Sequence, residues 1–393
     1  MTDDSAAARA LATRLTHGGL HPRAQHGFVN PAVYHGSTVT FPDVDTMLTG
    51  GQRYVYGRRG NPTTSALEET LTDFEGAAGS VLTPSGLAAI TTALLSCLSA
   101  GDHLLMIDTT YHPTRHFCDG MLKRLGISTT YFDPLAGAGI EALIRPETKA
   151  IYLEAPGSLT FEMPDIPAIV AVAKARDLVV LMDNTWATPL YFRPIDHGVD
   201  LSIMAGTKYV VGHSDVMIGT VAASVRAWKG LKAAHGDLGL CVGPDDVYLA
   251  LRGLRTLDVR LERHRKSALE VAKWLQSRPE VARVLYPALP SDPGHAVWKR
   301  DFSGASGLLS FVTRKAPLSA VKAMLDRLAL FGLGYSWGGY ESLAIVSDPR
   351  STRTATTWES EGHLVRLHIG LEDVGDLIAD LDAGFARFAA AAG

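Results

Sequence analysis

The 393-residue chain has little cysteine, little net charge and no long apolar run. Its three cysteines, Cys97, Cys118 and Cys241, are odd in number and lack any paired spacing. That excludes a disulfide framework and suits a reducing cytoplasm. A formal net charge of -4 gives no electrostatic reason to expect nucleic acid or a membrane surface as partner. No apolar stretch approaches the roughly 20 residues of a membrane span. The N-terminus carries Asp3 and Asp4 without an apolar segment, so a secretory signal is not expected. Internal repeats are lacking, and the only biased tract is the alanine-rich last turn.

What is present is ordinary for a folded chain: 46% hydrophobic and 20% charged residues. The length exceeds one compact core, so two or more substructures are expected. The informative stretch is 179–215. VVLMD (179–183) is a continuous, β-branched apolar run that reads as a buried parallel strand. It places Asp183 at a carboxyl end, the edge where open α/β sheets bind ligands. A second short run, 201–205, delivers Lys208 to the same edge. An acid and a lysine side by side suit a pyridoxal phosphate enzyme, with the lysine bonded to the aldehyde and the acid facing the pyridine nitrogen.

Residues 1–60 hold many turn formers and no sustained periodicity, and read as an extended arm. The arm runs into RYVYGRRGNPT (53–63), whose arginines suit phosphate or carboxylate. From 64 to about 255 helical and strand patterns alternate, which predicts a mostly parallel, doubly wound sheet closed by a strand at 218–223. Ser85 and Gly86 fall at a strand-to-helix turn, where free N–H groups and the helix dipole favour a phosphate. Tyr111 follows another strand, and an aromatic there can stack on a planar cofactor. His112 and His116, with Cys118 nearby, have zinc-like spacing but no third ligand, so no metal is expected. After 255 come a long helix near 259–278, strands at 281–286 and 308–312, and helices at 318–328 and 374–390. The run Arg263, His264, Arg265, Lys266 reads as a solvated face. Arg366 lies inside a short strand, a way to build a fixed carboxylate clamp. Ser336 stands in the pattern G-x-S-x-G of α/β-hydrolases, which leaves a serine hydrolase as a rival from another class.

Seven segments in register carry a resemblance: RYVYGRRGNPT, PSGLAA (84–89), EAPGSLTFE (154–162), DNTWAT (183–188), TKYVVGHSD (207–215), GYSWGGYESL (334–343) and VRLHIGLED (365–373). Together they resemble the PLP-dependent enzymes of cysteine and methionine metabolism, and among these the cystathionine β-lyases. The resemblance implies an α/β chain of PLP-dependent transferase fold type I. That fold has a mostly parallel seven-stranded sheet with helices on both faces and a smaller C-terminal α+β domain. It divides the chain into an arm (1–60), a PLP-binding domain (61–255) and a substrate-binding domain (256–393). The cofactor would be pyridoxal 5′-phosphate, bound to Lys208, with Asp183 on the pyridinium nitrogen and Tyr111 stacked on the ring. Ser85, Gly86, Leu87 and Thr207 would hold the phosphate, joined by Tyr56 and Arg58 of a neighbouring subunit in a dimer of dimers. Arg366 would clamp the substrate carboxylate, with Ser336 and Trp337 lining the site and Arg59 and His116 meeting the distal end. His116 departs from an aspartate of the best-known branch, and Ala205 from a hydroxyl residue. The implied reaction is α,β-elimination from cystathionine, cystine or S-alkylcysteines to a thiol, pyruvate and ammonia, in the cytoplasm. The γ-lyases and γ-synthases share the cofactor residues and are the nearer alternative.

Overall fold

Two sheets organise the chain in a computed structural model that describes residues 9–360 and 362–392. Asp3 and Asp4 lie outside the described residues. The larger sheet has seven strands: β1 (Gly79–Thr83), β2 (His103–Ile107), β3 (Ser128–Phe132), β4 (Thr148–Glu154), β5 (Val179–Asp183), β6 (Leu201–Met204) and β7 (Gly219–Ala223). Their order is β1-β7-β6-β5-β4-β2-β3, and only β7 runs antiparallel to its neighbours. Most central strands are buried along their whole length, which is why they read as unbroken apolar runs. The sequence expectation for β7 needs correction. It does not close an edge but lies between β1 and β6. A short antiparallel return from β6 places it there, and the chain making that return carries Lys208.

Helices frame the sheet with readable caps. Asn61 Oδ1 accepts from Thr64 N–H at 3.0 Å, with Pro62 at the first position of the helix Pro62–Glu75. Ser85 Oγ likewise accepts from Ala88 N–H at 3.1 Å and starts the helix Gly86–Leu95. The helix after Tyr111 is short. It spans His112–Phe117 and then widens into a π turn, Cys118–Leu122.

The second sheet follows the order β10-β11-β12-β9-β8, from β8 (Val281–Leu285), β9 (Leu308–Thr313), β10 (Gly332–Leu333), β11 (Leu343–Ser347) and β12 (Leu364–His368). It packs on the helices Leu257–Gln276, Leu318–Leu325 and Val374–Ala392. One buried cluster runs from β5 through Trp186 to Tyr286 and Phe311, so the two sheets share a core. Trp186 meets Tyr286 and Phe302 edge-on, each at 6.4 Å. The solvated face expected at 263–266 is only partly one. His264 is fully buried, whereas Arg265 and Lys266 pair with Glu262. A helix of period 3.6 turns one member of any four-residue charged run inward.

The arm is not wholly irregular. It contains the helices Leu11–His17 and Val44–Thr49. Its first helix is held to its own chain by Leu15, which is buried, and by Arg255 on the Thr16 carbonyl at 2.6 Å. Beyond it, Phe28, Val29 and Leu48 are exposed within the single chain.

Candidate active site

Asp183 ends β5, and Thr185 fixes its carboxylate. Oδ1 accepts from the Thr185 backbone N–H at 2.9 Å and from its hydroxyl at 2.5 Å. The hydroxyl oxygen in turn accepts from Ala205 N–H at 2.9 Å, which ties the end of β5 to the turn after β6. Burial pushes the Asp183 carboxyl up, against the pull of the Thr185 donors and the Lys208 charge.

Glu154 ends the adjacent strand β4, in direct register with Asp183. Its Oε2 accepts from Tyr111 N–H at 2.6 Å and from the Thr110 hydroxyl at 3.4 Å. Burial first, and the Asp183 charge second, push the Glu154 carboxyl well above its ordinary range. Two adjacent buried carboxyls do not both ionise. Each has two donors on one oxygen, but Asp183 also has the Lys208 charge, so Glu154 is the carboxyl pushed further up.

Lys208 follows a turn closed by its own N–H on the Ala205 carbonyl at 3.0 Å. Its Nζ donates to Ser336 Oγ at 2.8 Å and lies 5.4 Å from the Trp337 ring. Burial, then the Arg366 charge, lowers the amine to about 8, with Asp183 opposing. Arg366 projects from β12, and its Nη2 donates to the carbonyls of Tyr335 at 2.8 Å and Ser336 at 3.2 Å. Burial lowers the Arg366 guanidinium to about 10, so it stays charged at neutral pH.

Across the cavity, the helix Gly86–Leu95 presents its first N–H groups, which helix geometry leaves free. Gly86 is required there: a Cβ would stand 2.5 Å from Ala205 Cβ. The same close approach accounts for a small residue at 205, where the resemblance led one to look for a hydroxyl. The Thr207 hydroxyl exchanges hydrogen bonds with Ile218 N–H and C=O, each at 3.0 Å. Since Ile218 O also accepts from Thr207 N–H, that hydroxyl can turn toward a ligand without orphaning the carbonyl.

Ser85, Gly86, Leu87, Tyr111, Asp183, Thr207, Lys208, Ser336, Trp337 and Arg366 thus line one cavity of about 420 Å³, together with Glu154 and Thr185. A planar phosphorylated aldehyde fits this donor set. The depressed amine would meet the aldehyde, the buried carboxylate the ring nitrogen, and the helix start the phosphate.

Four expected site residues lie elsewhere in the single chain. Arg58 and Arg59 line a separate cavity of about 740 Å³, with Arg58 Nη1 on the Gly236 carbonyl at 3.0 Å. Tyr56 is half exposed, paired with Thr38 through an isolated bridge. His116 is exposed, on the helix beyond Tyr111. The zinc-like trio does not converge either, since Cys118 is buried while His112 and His116 are exposed. Ser336 sits in a loop with no helix after it, so the strand-to-helix elbow of a serine hydrolase is not formed.

Sequence reasoning also missed Glu154 as a site residue, although it ends a strand just as Asp183 does. It missed a clasp three residues before Tyr111. Asp108 accepts from Arg115 at 2.6 Å and from the backbone N–H groups of Thr354, Ala355 and Thr356 at 3.0, 3.1 and 2.8 Å. Burial raises its carboxyl, but these donors outweigh burial and hold it below the ordinary range. The clasp ties the Tyr111 loop to the segment that leads into β12.

Comparison with known proteins places this geometry. The sequence model for Cys/Met metabolism PLP-dependent enzymes matches residues 12–386. A Rhizobium johnstonii protein, provisionally named a cystathionine beta-lyase, is 57% identical over 382 residues, covering 96% of each chain. The cystathionine beta-lyase MetC of Escherichia coli (strain K12) is 45% identical over 390 residues, covering 96% of this chain and 99% of that one. Among solved structures, the cystathionine gamma synthase of Xanthomonas oryzae pv. oryzae superposes with a TM-score of 0.90 at 32% identity, covering 98% and 99% of the two chains.

Proposed function

The chain belongs to the Cys/Met metabolism PLP-dependent enzymes, and on that premise we propose that it is a carbon–sulfur β-lyase acting on cystathionine or related β-thio amino acids. The observation that carries the reading is Lys208 beside Asp183 in one cavity, with Arg366 opposite. The β-lyase branch is favoured over the γ-enzymes by the relatives. The two relatives described above, both named as β-lyases, stand at 57% and 45% identity, against 32% for the γ-synthase structure.

Pyridoxal phosphate supplies an electron sink for the charge left at a substrate's Cα. The chain's own groups do the rest. Arg366 binds the α-carboxylate and fixes which Cα bond faces Lys208. Lys208 Nζ, once released as a neutral amine, takes the Cα proton. Asp183 would face the ring nitrogen with its negative charge, and the raised Glu154 carboxyl beside it would add little competing charge. Tyr111, whose N–H donates to Glu154, would cover the ring face. Ser336 accepts from Lys208 Nζ and Trp337 walls the substrate side. With the Cα proton gone, the Cβ–S bond breaks and its electron pair leaves on a thiolate, and the remaining three-carbon enamine takes up one water to give pyruvate and ammonia.

The assembly belongs to the same reading. Tyr56, Arg58 and Arg59 cross to a neighbouring subunit's cavity in a homotetramer, Tyr56 and Arg58 toward the phosphate and Arg59 toward the distal carboxylate. Support comes from the exposed apolar arm and from Arg58 and Arg59 lying outside their own chain's Lys208 cavity. We further propose the division into an arm (1–60), a cofactor-binding domain (61–255) and a substrate-binding domain (256–393), and a cytoplasmic location. Among the described residues, no helix is long and apolar enough to cross a membrane. The test is borohydride reduction of the yellow protein followed by peptide mapping. Label on Lys208 is expected, and label on another lysine, or turnover by Lys208→Ala, refutes the assignment.

A further inference from the structure

Strand β12 presents two polar side chains on one face, because residues two apart in a strand point the same way. Arg366 donates to the carbonyls of Tyr335 and Ser336. His368 meets the next turn of the same loop, where Gly338 N–H donates to its Nε2 at 3.1 Å. This loop is pressed against the lysine. Gly338 has φ +88°, and a Cβ there would stand 2.9 Å from Lys208 Cα. Ser336, in the same loop, is the acceptor for Lys208 Nζ.

Behind His368 lies a second buried ring, His264, with centroids 5.1 Å apart. His264 Nδ1 is 2.7 Å from the Ile369 carbonyl, which can only accept, so Nδ1 carries the hydrogen and Nε2 is a bare acceptor. His264 Nε2 and His368 Nδ1 are both buried without a partner among the described residues. The Gly339 carbonyl also lies 3.1 Å from His368 Nε2, but one nitrogen of a neutral ring cannot both accept from Gly338 and donate to Gly339. With the hydrogen on His368 Nδ1, Nε2 is the acceptor and the Gly338 bond is kept. Burial keeps both rings neutral. His264 is lowered to about 4, with Arg260 adding to the effect of burial, and His368 lies well below its ordinary range, with His264, Arg366 and Lys208 adding. Tyr209 packs against both rings, at 5.4 and 6.0 Å.

We propose that His368 is a positioning residue of the active site, whose neutral ring fixes the 335–339 loop so that Ser336 meets Lys208 and water is kept from the amine. The inference rests on Lys208 being the cofactor lysine. A loosened loop admits water, returns the amine toward its ordinary value and reduces the neutral fraction available at neutral pH. Burial is the largest influence on that value; the charges that also bear on it are Arg366 and Asp183, and neither is altered by changing His368.

The experiment follows capture of pyridoxal phosphate by the apoprotein, by absorbance, across neutral to alkaline pH and without any sulfur substrate. His368→Leu and His368→Asn lose the Nε2 acceptor. Each is expected to capture cofactor about tenfold more slowly near neutral pH, for an upward shift of about one unit in the lysine, and to recover at high pH. His368→Gln places an amide oxygen where Nε2 stood and should keep the wild-type profile. A merely structural role would slow capture by the same factor at every pH, and that result overturns the proposal. So does a Gln variant that behaves like Asn, or unchanged capture in Leu and Asn. If His368→Leu does not fold, the contrast between Asn and Gln decides. Failure of the wild-type protein to capture the cofactor overturns the reading of Lys208, and this proposal with it.

Discussion

Removing the Arg366 guanidinium should cost the enzyme most of its hold on the substrate while leaving the fold intact. The side chain emerges from β12 in a half-buried position and spends Nη2 on two loop carbonyls. Burial lowers it to about 10, yet at neutral pH it remains a cation facing the cavity, and no described carboxylate pairs with it. A substrate carboxylate brought into that partly dry space without its partner costs about 2–5 kcal/mol. At about 1.4 kcal/mol per decade, Arg366→Ala should lower kcat/KM roughly 30- to 4,000-fold. The loss should appear mainly in KM, because the clamp acts on bound and reacting substrate alike. Arg366→Lys should rescue poorly, since an ammonium cannot form the two-pronged bond of a guanidinium. Free guanidinium at low concentration should restore part of the Ala variant's activity. Steady-state thiol release reads all three. A near-normal kcat/KM in Arg366→Ala would place the clamp elsewhere.

The remaining expectations concern assembly, stability and the distal end of the substrate. Mixing an inactive Arg58→Ala protein with an inactive Lys208→Ala protein should restore part of the activity in hybrid dimers; no recovery, with subunit exchange verified, would mean that Arg58 serves its own chain. Glu75 is fully buried, accepts from Ser202 Oγ at 3.1 Å, and is pushed up to about 8 by burial. A carboxyl raised on folding stabilises the fold below its unfolded value near 4.5, and that contribution is lost as pH rises toward 8. Glu75→Gln should therefore gain stability at the alkaline end of that window, on the order of 1–3 kcal/mol more than at its acid end. Equal gains in urea unfolding at both ends would contradict it. His116→Asp should raise kcat/KM for cystathionine more than for S-alkylcysteines, because a carboxylate meets a distal ammonium better than an imidazole; an equal loss on both substrates would remove His116 from that role.

Much of the frame was legible because each key group sits where an apolar run stops. Asp183 ends β5, Lys208 follows β6 by one turn, and Ser85 caps a helix whose pattern starts at the next residue. Arg366 stood out as a charge inside a strand of alternating character. What stayed hidden depends on pairing that local pattern does not encode. The antiparallel return that buries β7 beside β6 is a property of the whole sheet. His264 was hidden in a charged run because only the helix phase, set by packing on Tyr209 and His368, turns it inward. The clasp on Asp108 joins residues about 250 apart, through backbone N–H groups that any sequence would supply. Glu154 was within reach of the same reasoning that selected Asp183, and only its register beside that residue reveals what it does.

The most direct measurement is product analysis of purified enzyme supplied with cystathionine. Breaking the Cβ–S bond yields pyruvate, ammonia and homocysteine, which is the expected result. Cysteine with 2-oxobutyrate would instead report cleavage on the γ side, and would contradict the β-lyase assignment while leaving the cofactor site standing.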